Sequence, residues 1–182
     1  YHILGTKFDF YFFESETGPY GVKMVQAHPE VFEKSDGALV FRGEHTRVFV
    51  TSQGLPTYEA KDLGLAELKK EKAKFDESIT VTANEQDAYF RVVFEALARV
   101  HPEWKEFKHI SHGMMRFAEG KMSSRKGNVI TGESLLKDLT EAARGRADVA
   151  VGAIKYTVLN SGSGKDIIFD PEKSLSLEGD SG

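Results

Sequence analysis

The stretch Gly120–Asn128 reads GKMSSRKGN, with two lysines, an arginine and two serines around one apolar side chain and two glycines. Such a segment can wrap a polyanion. Lysine supplies point charge, serine hydroxyls donate hydrogen bonds, and glycine lets the backbone come close. Met122 can pin the loop while Lys121, Ser123 and Ser124 face a ligand. Lys121 is the best-placed candidate to stabilise charge that develops in phosphoryl or nucleotidyl transfer. The plain alternative is a solvated turn. A second constellation is Tyr58 and Asp62, four residues apart and so on one face of a helix. A carboxylate there can meet a guanidinium through two parallel hydrogen bonds, beside a ring and a hydroxyl. The plain alternatives are a half-buried aromatic and an exposed acid paired with a neighbouring lysine. Gln86 follows a strand, where ligands of open α/β sheets bind. His109 and His112 share another strand and are expected on the same side of it. Neither has metal partners at a convincing spacing, so no metal ligands are assigned.

The elements that must position these residues can be read from periodicity. Phe8–Phe13 (FDFYFF) reads as an aromatic strand ending at Glu14, and 21–25 as a short strand. Strands are expected at 37–41 and 46–50 around a polar turn. A helix follows from Thr57, a possible cap, to about residue 75, with Gly64 as its weak point. Residues 78–82 read as a buried strand. The helix at 85–100 carries Phe90, Val93, Phe94 and Leu97 on one face. With a strand at 107–112 these form a βαβ unit, whose crossover is right-handed. Residues 118–128 read as a loop, 132–143 and 147–159 as helices, and 166–170 as an extended piece.

Composition sets the limits. The chain has 182 residues, 40% of them apolar, including 13 phenylalanines, so a real core is expected. With no cysteine, disulfide scaffolds and cysteine metal sites are excluded. No apolar run reaches the roughly 20 residues that span a bilayer, so no membrane partner is expected, and the cytoplasm is the default compartment. The net charge is −4, but residues 105–126 hold six basic and two acidic side chains, leaving −8 for the remainder. A local anion site fits this better than a broad nucleic-acid surface.

The segment Gly120–Asn128 closely resembles the KMSKS signature loop of class I aminoacyl-tRNA synthetases. Four further stretches resemble the arginyl-tRNA synthetase family: GTKFDFYFFES (5–15), GLPTYEAKDLG (54–64), TVTANEQDAYF (80–90) and FKHISHGMM (107–115). LEGDSG (177–182) resembles that family's junction toward its anticodon-binding helices. The resemblance covers nearly the whole chain. It implies an α/β fold: the second half of a class I Rossmann-like catalytic domain with a parallel sheet, after a small mixed-sheet insertion region. The expected segments are 1–50 (insertion), 51–117 (nucleotide-binding half) and 118–182 (signature loop and helical connection).

The resemblance also implies roles. Glu14, Tyr58, Asp62 and Gln86 would contact arginine. His109, Gly113, Met114, Lys121, Met122, Ser123 and Ser124 would contact ATP, with Gly113 and Met114 offering backbone groups to adenine. Lys121 would be the catalytic contact, Mg2+ would accompany ATP without an assigned protein ligand, and tRNA(Arg) would be the acceptor. The second lysine of the signature falls at Ser124; Arg125 and Lys126 add charge nearby but not at the same place. No HIGH-type motif occurs in the 182 residues, so the chain is expected to be part of a catalytic domain, with little or no aminoacylation activity by itself. Another class I synthetase or related nucleotidyltransferase, and a non-catalytic RNA-binding or scaffold protein, are the competing readings.

Overall fold

Two helices meet with almost nothing between their backbones, and this contact organises the larger part of the chain. In the computed structural model, which describes residues 1–117 and 131–175, α1 is Glu14–Ala27 and α2 is Tyr58–Lys72. Thr17, Gly18, Gly21, Met24 and Val25 form the buried stripe of α1. A Cβ on Gly21 would lie 1.8 Å from the carbonyl oxygen of Ala60, and one on Gly64 would lie 2.1 Å from that of Thr17. Gly64 is therefore the contact point of α2 with α1, not a weakness in the helix.

Around this pair the chain adds β1 (Glu33–Ser35), β2 (Ala38–Arg42) and β3 (Thr46–Val50), joined antiparallel in that order. The positive φ of Asp36 and Gly37 makes the tight turn between β1 and β2. Phe32, Phe41 and Phe49 meet at ring separations of 5.0–6.0 Å and are essentially inaccessible to solvent. β4 (Ser78–Ala83), a short 3-10 turn at Asn84–Gln86, α3 (Asp87–Val100) and β5 (Phe107–His112) follow. β4 and β5 are sheet neighbours. The Ser78 amide, at the start of β4, donates to the carbonyl of Glu106, just before β5, so the two strands run in the same direction with α3 as the crossover. Val92, Val93, Ala96, Leu97 and Val100 of α3 join Leu63, Ala66, Met24 and the phenylalanines in one core.

Thr6–Ile110 makes one compact unit, so residues expected in the 1–50 and 51–117 segments share a core. The second unit comprises Tyr1–Gly5 and the residues from Ser111 onward. It holds β6 (Met115–Phe117), α4 (Gly132–Ala142), α5 (Ala147–Asn160), β7 (Ile167–Phe169) and the short α6 (Pro171–Ser174). β6 and β7 pair parallel. Thr131 caps α4, its hydroxyl accepting from the Ser134 amide at 3.1 Å. Leu135, Leu139, Ala150 and Phe169 form this unit's core. Among the described residues no helix is long and apolar enough to cross a membrane.

Several expectations need correction. Phe8–Phe13 is not a strand; it pairs with no strand among the described residues, and Phe8, Phe10, Tyr11 and Phe13 are exposed. Residues 21–25 lie within α1, whose buried stripe begins with the small Thr17, Gly18 and Gly21, which a search for large apolar side chains passes over. The small sheet is antiparallel throughout rather than mixed. Thr57 occupies the cap position of α2, but its hydroxyl donates to the carbonyls of Val48 and Phe49 instead of capping. β4 is only half covered, with Ile79 and Val81 exposed opposite Thr80 and Thr82. His109 and His112 are three apart on β5, so they face opposite sides, His109 inward and His112 outward.

Replacing Gly64 with Ala tests the helix contact. Intrinsic helix propensity favours Ala by about 1 kcal/mol, whereas overpacking against a fixed carbonyl costs about 1–3 kcal/mol or more. The expected outcome is a net loss of about 2 kcal/mol in denaturant unfolding. A gain in stability would mean that α1 and α2 do not touch through their backbones.

Candidate functional site

A pocket of about 530 Å³ opens in the Thr6–Ile110 unit. β3 contributes Arg47, α2 contributes Tyr58, Glu59 and Asp62, and β4 contributes Thr82. The 3-10 turn contributes Gln86, and α3 contributes Tyr89 and Phe90. Three of the four residues expected to share a pocket, Tyr58, Asp62 and Gln86, do so. The i,i+4 spacing places Tyr58 and Asp62 on one side of α2, and the end of β4 delivers Gln86 opposite them.

Asp62 is the centre of the electrostatics. Its carboxylate accepts a hydrogen bond from the Tyr89 hydroxyl at 2.5 Å. Burial raises its pKa above the ordinary carboxylate value; the negative charge of Glu59 adds to this, while the Tyr89 hydrogen bond and the Lys69 ammonium work against it. Burial, then the hydrogen bond and charge of Asp62, push the Tyr89 hydroxyl upward, so it remains a donor at neutral pH. Lys69 is pushed down by burial and held up by Asp62; its Nζ donates to Ser78 Oγ at 3.3 Å. Glu59 is buried, with Arg47 at 3.5 Å. The Arg47 guanidinium also lies 6.0 Å from the centre of the Tyr89 ring. The pocket thus holds two carboxylates near the start of a helix, where the backbone itself carries partial positive charge. Asp62 and Glu59 set the local sign against that field and make the site suitable for a cation.

Glu14 does not line the pocket. Its carboxylate accepts from Lys61 Nζ, and Lys61 in turn lies 5.0 Å over the Tyr58 ring. Glu14 therefore acts on Tyr58 at one remove. His109 sits behind the pocket wall: its Nε2 shares a 2.8 Å hydrogen bond with Thr82 Oγ1, its ring stacks on Phe90 at 4.6 Å, and Asp87 lies 3.6 Å from Nδ1. Gly113 and Met114 belong to the second unit. A Cβ on Gly113 would lie 2.0 Å from the Lys165 carbonyl oxygen, so glycine is required there by close approach. The Met114 amide donates to Asp166 Oδ1 at 3.1 Å, and its carbonyl accepts from the Ile167 amide at 2.9 Å. Both backbone groups of Met114 are hydrogen-bonded within this unit. Lys121, Met122, Ser123 and Ser124 lie outside the described residues. Among the described residues no three His, Asp or Glu side chains are grouped to hold a metal.

Sequence reasoning missed Arg47, Glu59, Thr82 and Tyr89 as pocket residues. Two left a legible signal. Arg47 is two residues before Phe49 and so shares the inward side of β3, an unusual place for a charge. Tyr89 belongs to a second stripe on α3 with Val92, Val93 and Ala96.

With this geometry in place, comparison with known proteins becomes informative. Residues 22–151 match the family model of tRNA synthetases class I (R), catalytic domain. The chain is 33% identical to an arginine–tRNA ligase of Borreliella afzelii, with all of the chain and 36% of that protein aligned. It is 34% identical to one of Clostridium acetobutylicum, with all of the chain and 36% of that protein aligned. The chain thus spans about a third of the length of these relatives. Its fold is similar to that of arginyl-tRNA synthetase from Plasmodium falciparum, with TM-score 0.77, 19% identity, and 98% of this chain and 34% of that one covered. It is also similar to the Thermus thermophilus enzyme, with TM-score 0.76, 21% identity, and 100% of this chain and 41% of that one covered.

The electrostatics give a pH test. Because the native pKa of Asp62 is raised, the native state keeps a proton that the unfolded state has released, and stability falls as pH rises through that window. Asp62→Asn removes the cost of the buried charge while still accepting from Tyr89. Its Tm should exceed that of the wild type at about pH 8 and match it at about pH 3. Thermal melts at the two pH values check this. A lower Tm for the variant at the higher pH would contradict the burial assigned to Asp62.

Proposed function

The chain belongs to the class I (R) tRNA synthetase catalytic-domain family, and from that premise we propose that it carries the arginine-recognition part of an ATP-dependent arginine–tRNA ligase. The observation that carries the reading is the convergence of Tyr58, Asp62 and Gln86 on one pocket whose central carboxylate is desolvated. A guanidinium is the cation that suits it: planar, always protonated, and able to meet Asp62 with two hydrogen bonds. Tyr58 supplies a ring face beside it and Gln86 an amide at the opposite wall.

In this reading the arginine carboxylate attacks the α-phosphorus of ATP and pyrophosphate leaves. A terminal ribose hydroxyl of tRNA(Arg) then attacks the activated carbonyl and AMP leaves. No protein side chain becomes a covalent nucleophile, so the rate comes from positioning and charge stabilisation. The pocket fixes one end of arginine and so aims its carboxylate. His109, held by Thr82 and Phe90, is assigned to the nucleotide, as are Gly113 and Met114. Lys121, with Met122, Ser123 and Ser124, is assigned to the phosphates, where its ammonium would stabilise the charge that develops. ATP enters as its magnesium complex, with no protein ligand assigned to the metal. The cytoplasm is the compartment proposed for the reaction.

The test compares Asp62→Asn with wild type in the complete protein that carries this chain. Removing one partner of a desolvated charge pair costs about 2–5 kcal/mol, so KM for arginine should rise about 100-fold while KM for ATP changes little. Equal losses for both substrates would indicate a folding defect and contradict the assignment.

A further inference from the structure

The pocket contains a charge pair that direct guanidinium contact does not use. Glu59 and Asp62 lie three apart on α2 and both line the cavity. Two carboxylates that line one cavity repel each other, and a resident cation offsets that repulsion. β3 supplies one, because Arg47 is directed inward on the same side as Phe49 and lies 3.5 Å from Glu59. From this arrangement, which rests on the arginine-pocket reading above, we infer that Arg47 neutralises Glu59 so that the charge of Asp62 is left for the incoming guanidinium. Arg47 is then a positioning residue for arginine recognition, acting through Glu59 and Asp62.

The surroundings of Asp62 make this specific. On its own helix the charged groups are Glu59 and Lys69, and α3 contributes Tyr89. β4 and β5 contribute only the uncharged Thr80 and Phe107 to the neighbouring cavity. The acids at the start of α1 are engaged elsewhere, Glu14 with Lys61 and Glu16 with Lys72. Lys69 donates to Ser78 and lines the neighbouring cavity, not the one that holds Arg47 and Glu59. A guanidinium, unlike an ammonium, is charged at any working pH. The charged residues that line the pocket, Arg47, Glu59 and Asp62, then leave one excess negative charge, suited to one singly charged side chain. Without Arg47, two like carboxylates share the site, and the first proton is taken up at higher pH wherever it settles.

The experiment measures KM for arginine from about pH 5.5 to 9, with KM for ATP alongside, in the complete protein. The variants are Arg47→Gln, Glu59→Gln and the two combined. Arg47→Gln should move the pH at which arginine affinity is lost upward by about one unit, and Glu59→Gln should move it downward. The double variant should return close to the wild-type profile, which a merely structural role for the pair does not predict. ATP profiles should stay superimposable. Profiles that keep the wild-type midpoint in both single variants would overturn the inference, as would a double variant no nearer to wild type than Arg47→Gln. If Arg47→Gln does not fold, Glu59→Gln decides alone, because an unchanged midpoint there removes the coupling. Asp62→Asn in the same assay separates the two levels. Wild-type arginine affinity in that variant sinks the pocket reading itself, whereas its loss combined with unmoved midpoints in the other variants sinks only the role of Arg47.

Discussion

A carboxylate at the edge of a core loses hydration that one hydroxyl replaces only in part. Asp62 is in that position, with Tyr89 as its hydrogen-bond donor and burial as the dominant influence on its protonation. Such a group is poorly satisfied unless a cation arrives. The rest of the larger unit keeps it there. α2 presents it, α3 supplies its hydrogen bond, and β3 brings a charge that offsets its acidic neighbour. Burying a carboxylate in this way costs stability, the usual relation between function and stability where a site serves recognition.

The precision of that arrangement comes from backbone contact. Gly21 and Gly64 let α1 and α2 approach until carbonyl and glycine touch. α2 therefore has little freedom to rotate, and the angle at which Tyr58 and Asp62 enter the pocket is fixed by packing rather than by a loop. The phenylalanine cluster anchors β2 and β3, and with β3 the residue Arg47. The crossover β4–α3–β5 places Gln86 and Tyr89 at the strand end, where α/β folds leave an open crevice.

Much of this was legible in the sequence, for identifiable reasons. The four-residue spacing of Tyr58 and Asp62 and the apolar stripe of α3 are local signals, and both survive in the fold. The strands at 38–42 and 46–50 were legible from their β-branched and aromatic content. α1 was not, because three of its five buried residues are threonine or glycine, residues that argue against a helix until the partner helix is known. The aromatic run at 8–13 misled because aromatic content suggests a strand, whereas pairing requires a partner. Arg47 and Glu59 were invisible as a pair, since twelve residues and a turn separate a strand position from a helix position and only the tertiary contact joins them. The signature segment at 120–128, the clearest motif in the sequence, lies outside the described residues, so its role rests on family membership and residue chemistry.

The most direct test follows the carboxyl group itself. A 13C-NMR titration of the Asp62 carboxyl in the complete protein, without arginine and then saturated with it, reads the protonation state at the centre of the site. Free protein should show a pKa above the ordinary aspartate range, and bound arginine should drive it below that range, because a guanidinium favours the charged form. A value that stays the same with and without arginine would contradict the account at its centre.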